Sequence, residues 1–572
     1  MAHINLSETF AMAEFDGFGG INRLASVSGK GGISDLKNFR VESDRSLKKR
    51  YGFSSVIKLG GDVRAQYAVS DELVFMLVGS QILRVNPKSK TSSVEATVQS
   101  SVGDACFFNY GKALHLIDGN ELYVYSDDGF VPVEGYVPLY AKELKTGTQV
   151  GEIYEPINLL SKRIRMSFSV TDNKKVYFPF TVDSIDHAYH NGGPMGSNKL
   201  VMVTGNTSAA LSGTYNVGDI VEVYMTLADT SDFRSELTEN NRAITYGNGK
   251  GGCEDSSVAF YNISDGSRLY TTKSVDFHEM ERQKSIYSDI SPIYVPQDGA
   301  HGIGHELGNI TAACRSGSSL MVFSENSTYL LSEGDGEGEK LTCISETSGC
   351  SIKDGAMTFE NSPITLSKNG ILRWTPSTVY DNEYTAKCLS MPIVDLLPLS
   401  PSDGIISYHK AKNEIWFYCY GQDRVWIYNT LSELWYSFDG FTPEGLLEIG
   451  GEMSFISDGY LYMFSPELTS DNGGAIITAS LSGTLKSLGE INRTRRLSRV
   501  MMRSSPSAAF ELTVTDALGR EKSVALSDKS GEREGYIEKR LSCPRSRYYS
   551  FTLSHARPDD LELYSLIFTA VR

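Results

Sequence analysis

Short apolar runs separated by polar turns recur along the chain. Leu73 to Val78 precedes the turn Gly79-Ser80-Gln81, and Ile82-Leu83-Arg84-Val85 follows it. Ala113 to Ile117, Asp118-Gly119-Asn120 and Leu122 to Tyr125 repeat the pattern, as do Leu320 to Phe323, Glu325-Asn326-Ser327 and Tyr329 to Leu331. Later copies are Ile364 to Leu366 with Ile371 to Trp374, Ile415 to Tyr418 with Val425 to Tyr428, and Met453 to Ile456 with Leu461 to Phe464. Apolar stretches this short, joined by Asn-Gly or Asp-Gly, predict β-hairpins, because both central residues of the favoured turns need positive φ. No stretch keeps the i, i+3, i+4, i+7 stripe of a long amphipathic helix.

The spacing of the turns adds a higher order. Those near Ser80 and Asn120, and then Asn326, Asn369, Asp423 and Asp458, lie close to one β-propeller blade apart, about 40–45 residues. A further hairpin, Val258 to Tyr261 with Arg268 to Tyr270, sits inside the long gap between Asn120 and Asn326. The rest of that gap predicts an inserted domain over 136–255, with strands at Val176 to Phe180, Leu200 to Val203 and Ile220 to Tyr224. The expectation is an all-β chain, a β-propeller of about six to eight blades with an inserted small β domain and a C-terminal β-sandwich. Tandem sandwiches also consist of short strands and turns, but regular spacing favours the propeller. The propeller would occupy 51–135 and 256–490, and the sandwich 491–572. Residues 1–50, poor in apolar periodicity, read as an extended arm that needs a partner surface.

Composition fits strands: 53 glycines, 31 tyrosines and 25 phenylalanines in 572 residues, with only 18 prolines. The net charge of −16 argues against a general nucleic-acid binder; it reads first as solubility alone, and does not exclude an acidic wall that passing DNA would not stick to. The first residues, Met1 to Asn5, carry neither the basic nor the apolar part of a secretion signal, and no apolar run is long enough for a membrane helix. The eight cysteines include no C-x-x-C pair and are expected to be free thiols.

Gly29-Lys30-Gly31 and Gly249-Lys250-Gly251 lack the leading glycine and the hydroxyl of a phosphate loop, and read as loops. His301 and His305 are separated by glycines, unlike two imidazoles on one helix face, and His187 with His190 reads as a surface pair. The acidic glycine stretch Glu333 to Glu339 does not match a calcium loop. Trp374, Trp416, Trp426 and Trp435 occupy strand positions and are expected in the core. No catalytic residue, cofactor-binding residue or metal ligand is assigned, no cofactor is expected, and the chain reads as a non-enzyme. Arg493, Arg495, Arg499 and Arg503 would share one strand face, meeting an acidic neighbour, lining a DNA path, or guarding an edge.

Several segments carry a family resemblance. Phe18-Gly19-Gly20-Ile21-Asn22, Leu36 to Arg40 and Leu47 to Phe53 resemble the start of many tailed-phage structural proteins, in which "GG-N", "L-N-x-R" and "L-x-K-R-x-G-(F/Y)" follow one another. Tyr154 to Ser161 resembles the opening of the insert in those proteins, and Arg268-Leu269-Tyr270 through Leu331 resembles their mid-propeller signature. The matches cover roughly the first 330 residues. The family is similar to the tail nozzle, or tail tube, proteins of short-tailed bacteriophages. The resemblance implies a homohexameric ring in the virion tail, assembled in the host cytoplasm, touching portal, adaptor and tail fibre proteins, with DNA leaving through its lumen. Two other readings stay open: a carbohydrate-binding or glycan-cleaving propeller for host recognition, and a neck or tail-hub protein of a long-tailed phage.

Overall fold

The computed structural model describes residues 3–6, 10–15, 17–24, 32–133, 163–170, 172–178, 181–228, 237–239, 241–247, 257–262, 266, 268–272, 293–295, 299–303, 308–333, 339–377, 383–398, 403–486, 494–506, 508–527 and 535–571. The fold is all-β, a β-propeller with an inserted β domain and a terminal sandwich.

Among the described residues, six four-stranded antiparallel sheets and the first four strands of a nine-stranded sheet share one plan. Blade 1 comprises Val63–Ala68, Val74–Val78, Gln81–Asn86 and Thr91–Thr97. Blade 2 runs from Cys106–Tyr110 to Gly129–Pro132, blade 3 from Asn241–Tyr246 to Ala300–Gly302, and blade 4 from Ile310–Ser316 to Glu339–Ser345. Blade 5 runs from Ala356–Phe359 to Tyr384–Cys388 and blade 6 from Gly404–His409 to Leu434–Asp439. Blade 7 takes three strands from Gly445–Ile449, Glu452–Ser457 and Tyr460–Ser465, and its fourth, Gly52–Lys58, from the far end of the chain. The first strands of successive blades touch in order, and that of blade 7 returns to blade 1, where Gln66 Nε2 donates to Leu446 O at 3.1 Å.

Alternation along each strand explains the stacking. In Val74–Val78, Val74 and Met76 pack against Leu447, Ile456 and Leu461 of blade 7, while Phe75 and Leu77 face Leu114, Leu116 and Phe130 of blade 2. Ser319–Ser324 does the same, with Leu320 and Val322 toward blade 3 and Met321 and Phe323 toward Leu372 and Trp374 of blade 5. A strand whose two faces are both apolar needs a neighbour on each side, and a ring of blades supplies both.

The insert has its own core. Arg163–Ser169, Ile220–Leu227, Val182–His190 and Gly193–Pro194 form one sheet, and Lys175–Tyr177, Ser208–Leu211 and Leu200–Met202 a second. Phe168, Val176, Val182, Val221, Val223 and Met225 are buried between them. The sequence expectation carried this domain to 255, but Asn241–Tyr246 is already the first strand of blade 3.

The terminal sandwich differs most from expectation. One sheet holds His3–Leu6, Phe10–Phe15, Glu562–Val571, Arg496–Ser504 and Gly535–Arg540, with the hairpin Phe39–Val41 and Leu47–Lys49 attached. The other holds Gly32–Lys37, Ala479–Lys486, Tyr548–His555, Ala509–Asp516 and Glu521–Ser527, and continues directly from blade 6. Much of 1–50 is therefore strand paired within the chain rather than an extended arm, and Ala479–Lys486, assigned above to the propeller, belongs to the sandwich. Strands that pair across hundreds of residues leave only weak local periodicity, since each is completed by distant partners.

Candidate functional site

A buried polar cluster lies where the N-terminal strands pass between blade 6, blade 7 and the sandwich. Its residues come from the segments Leu36 to Arg40 and Leu47 to Phe53. Asn38, with φ of +56°, ends the strand Gly32–Lys37. Its Oδ1 accepts from Asp439 N at 2.9 Å and from Arg50 Nε at 2.9 Å, and its Nδ2 donates to Thr478 O at 2.9 Å and to Asp439 Oδ1. Arg50 adds a fork on Asp471, Nη1 to Oδ1 at 2.7 Å and Nη2 to Oδ2 at 2.6 Å, and donates to Asp439 O at 2.8 Å and Tyr51 O at 3.0 Å. All five of its protons are thus engaged, and its guanidinium lies 5.8 Å from the ring centres of Phe53 and Phe441.

Two glycines let the backbone approach. A Cβ on Gly52 would stand 1.9 Å from Ser470 O, so the strand that closes blade 7 admits no larger residue there. Gly20 has φ of +67°, and a Cβ on it would lie 2.9 Å from Trp435 O, where Ile21 N donates at 2.8 Å.

Next to this cluster, Glu414 is fully buried. Arg40 grips it with Nε at 2.5 Å and Nη2 at 3.2 Å, Tyr436 Oη donates at 2.6 Å and Trp416 Nε1 at 3.0 Å. His409 Nδ1 lies 3.5 Å from Glu414 Oε2, too poorly aligned for a bond, while its Nε2 sits 3.0 Å from Gly451 O. Burial alone would raise the Glu414 carboxyl, but the Arg40 charge and these donors outweigh it and hold the group well below the usual carboxylate range. Burial, then Glu414, pushes the Tyr436 phenol well above its ordinary value. A carboxylate whose lone pairs are filled by protein donors, with no solvent contact, cannot take a proton from a substrate. The cluster acts as a lock between parts of the fold.

The propeller itself carries further polar groups. Arg64 donates to the carbonyls of Gly79, Ser100, Val102, Gly103 and Asp118. Beside it an open cleft of about 570 Å³ is lined by Gly60, Asp62, Gln81, Ser101 and their neighbours, with no aromatic ring in the lining. Arg242 bonds Asp354 at 2.5 Å near the start of the first strands of blades 3 and 5. Between blades 3 and 4, His301 Nε2 is 3.2 Å from Thr271 Oγ1 and 3.6 Å from Glu339 Oε2, and Tyr246 donates to the other oxygen of Glu339.

Trp374, Trp416, Trp426 and Trp435 are all buried. His190 bonds Asp219 at 2.9 Å, whereas His187 stacks on Tyr224 at 4.1 Å, so the two histidines do not share a ligand position. His305, Gly29 to Gly31, Gly249 to Gly251 and Arg493 lie outside the described residues. The other arginines do not share one face: a bulge between Leu497 and Arg499 leaves Arg495 buried and Arg499 and Arg503 exposed. Among the described residues no group of three or more His, Cys, Asp or Glu side chains could hold a metal ion, and no helix is long and apolar enough to cross a membrane. The junction residues Asn38, Arg40 and Arg50 stood within the family-like motifs, but their partners Glu414, Asp439 and Asp471 carried no local signal.

No protein-family model matches the chain, and no curated protein matches it. The chain is similar in architecture to YCF48 from Cyanidioschyzon merolae, at 8% identity over 73% of this chain and 99% of that one, with a TM-score of 0.33. It is similar to an exo-β-1,3-galactanase from Phanerochaete chrysosporium, solved with galactose, at 10% identity over 82% and 96%, with a TM-score of 0.18. TmCBM61, solved in complex with β-1,4-galactotriose, matches at 16% identity over 20% of this chain and 68% of that one, with a TM-score of 0.14. At these values the likenesses concern β architecture alone.

Proposed function

We propose that the chain is a static building block of a virion tail, the nozzle or tail tube ring of a short-tailed phage. One observation carries this reading. The segments that resemble tailed-phage structural proteins, Phe18 to Asn22, Leu36 to Arg40 and Leu47 to Phe53, are the ones that run along blade 6, close blade 7 and bind propeller to sandwich. Residues with a shared structural task in the fold explain such motifs without any reaction. A part that bears load and turns nothing over benefits from strands fixed at both ends of the chain and from ionisable groups spent on internal locks.

Particles purified from infected host cells, decorated with an antibody to this chain and imaged by electron microscopy, test the reading. Label at a single tail vertex, in a fixed copy number, is the expected result, and label at a neck or baseplate hub would place the chain in a long-tailed particle instead. Absence from the particles would overturn it.

A carbohydrate-binding role is the second reading. The open cleft beside Arg64 has the volume of a small-ligand site, with Asp62, Gln81 and Ser101 available to hydroxyl groups. The missing aromatic platform counts against it. Titration calorimetry with a panel of oligosaccharides separates the two, since saturable binding abolished by Gln81→Ala would favour this role.

A further inference from the structure

We infer that the cleft beside Arg64 is an oxyanion site, which takes a carboxylate or phosphate group carried on a sugar-sized molecule; this rests on the second reading above and deepens it by naming the class of carbohydrate. Three loops wall the cleft: Leu59 to Asp62, which enters blade 1, the turn at Gly79 within blade 1, and Ser101 to Gly103, which leads from blade 1 to blade 2. Arg64 bolts them together. Its Nε donates to Gly103 O at 3.1 Å, its Nη1 to Gly79 O and Ser100 O at 2.9 Å each, and its Nη2 to Val102 O at 2.6 Å and to Asp118 O. All five guanidinium protons are spent on main-chain carbonyls. Loops tied in this way meet a ligand with little left to order.

That bonding sorts the polar groups of the cleft. The carbonyls of Gly79, Val102 and Gly103 are engaged by Arg64, whereas the amide N–H groups of Gly60, Gly61, Asp62, Ser101 and Gly103 have no acceptor among the described residues. Gly60, Gly61 and Asp62 are three donors in succession, and Gly60 has φ of +85°, the left-handed conformation found in anion-holding turns. The Ser101 hydroxyl and the Gln81 amide add side-chain donors. Acceptors are spent and donors are spare, so the group that fits is one that only accepts.

Charge agrees. Arg64 has no ion pair among the described residues, and the carboxylates that act on it are engaged elsewhere. Asp118 accepts from the amides of Ser100, Asn120 and Glu121, and Asp104 lies 3.6 Å from Arg242. Asp62, exposed, is the one acid among the described lining residues. A volume of about 570 Å³ exceeds what a bare phosphate fills, and no aromatic ring lines the cleft to stack on a neutral sugar. An acidic sugar, either a uronic acid or a sugar phosphate, answers both the donors and the space.

Titration calorimetry of the full chain with glucuronate, glucose 6-phosphate, inorganic phosphate and neutral glucose tests this. Saturable binding of both acidic sugars is expected, with glucose silent, and with affinity falling between about 50 and about 500 mM salt. Ser101→Asp is expected to weaken binding about tenfold or more, and Asp62→Asn to tighten it about threefold or more. Both positions are exposed, so both variants are expected to melt with the parent chain. No binding of either acidic sugar, binding indifferent to Ser101→Asp, or glucose bound as tightly as glucuronate would each overturn the inference. The last of these would leave the carbohydrate reading standing. Inorganic phosphate bound as tightly as glucose 6-phosphate would do the reverse, supporting the oxyanion site and overturning the carbohydrate reading.

Discussion

Arg50 and Asp471, 421 residues apart in sequence, are joined by two hydrogen bonds of 2.7 and 2.6 Å, with side chains only 1% and 9% exposed. Arg50 stands just before the strand that completes blade 7, and Asp471 lies between the last propeller strand, Tyr460–Ser465, and the first sandwich strand after it, Ala479–Lys486. The pair thus fastens the start of the chain to the point where one domain gives way to the other.

Removing one partner leaves the other buried and uncompensated. Arg50→Met is expected to cost about 3–5 kcal/mol, and the double variant R50M/D471L less than that, because no lone charge remains. Denaturant titration measures both. A single variant as stable as the parent chain would mean the pair holds nothing.

Gly52→Ala places a methyl group 1.9 Å from Ser470 O, so the closing strand must shift. A loss of about 2 kcal/mol or more is expected. Gly19→Ala, with open space around its Cβ, is the matched control and is expected to melt with the parent.

His115 predicts loss of stability in acid. The ring is fully buried, stacked on Phe108 at 5.1 Å, and burial lowers its pKa from 6.5 to about 4. The folded state therefore binds fewer protons than the unfolded one. The stabilisation is complete above pH 6.5 and falls away as pH drops toward 4, by roughly 3 kcal/mol in all. His115→Gln is expected to flatten that slope in stability measured across this range, and an unchanged slope would assign it elsewhere.

The insert is expected to be dispensable for folding. Val133 and Leu237, which flank it, are buried in one cluster between blades 2 and 3, and its own core is separate. Replacing 134–236 by a short Gly/Ser linker should leave the melting temperature of the propeller close to that of the full chain. Failure of that variant to fold would mean the insert supports the blades.

How much of this was legible in sequence depends on how local each feature is. The hairpin from Leu73 to Val85 announces itself because its strands are three residues apart and its turn needs Gly79 at φ of +55°. The four tryptophans, on strand positions, are core as expected. Phe53, by contrast, pairs with Phe464 and packs its ring 4.9 Å from Phe455, so its segment looks isolated in the sequence. The same holds for Leu36, Phe39 and Leu47, all fully buried by partners that lie far along the chain. The bulge that turns Arg495 inward leaves no mark in residue type either, since Arg-Arg-Leu-Ser-Arg alternates equally well without it.

Closure of the propeller by Gly52–Lys58 is the relationship on which the rest stands, and amide hydrogen exchange read peptide by peptide tests it most directly. Gly52–Lys58 is expected to be as protected as its neighbour Tyr460–Ser465, and both to open together. Exchange of Gly52–Lys58 at the rate of a free segment, with Tyr460–Ser465 still protected, would contradict it.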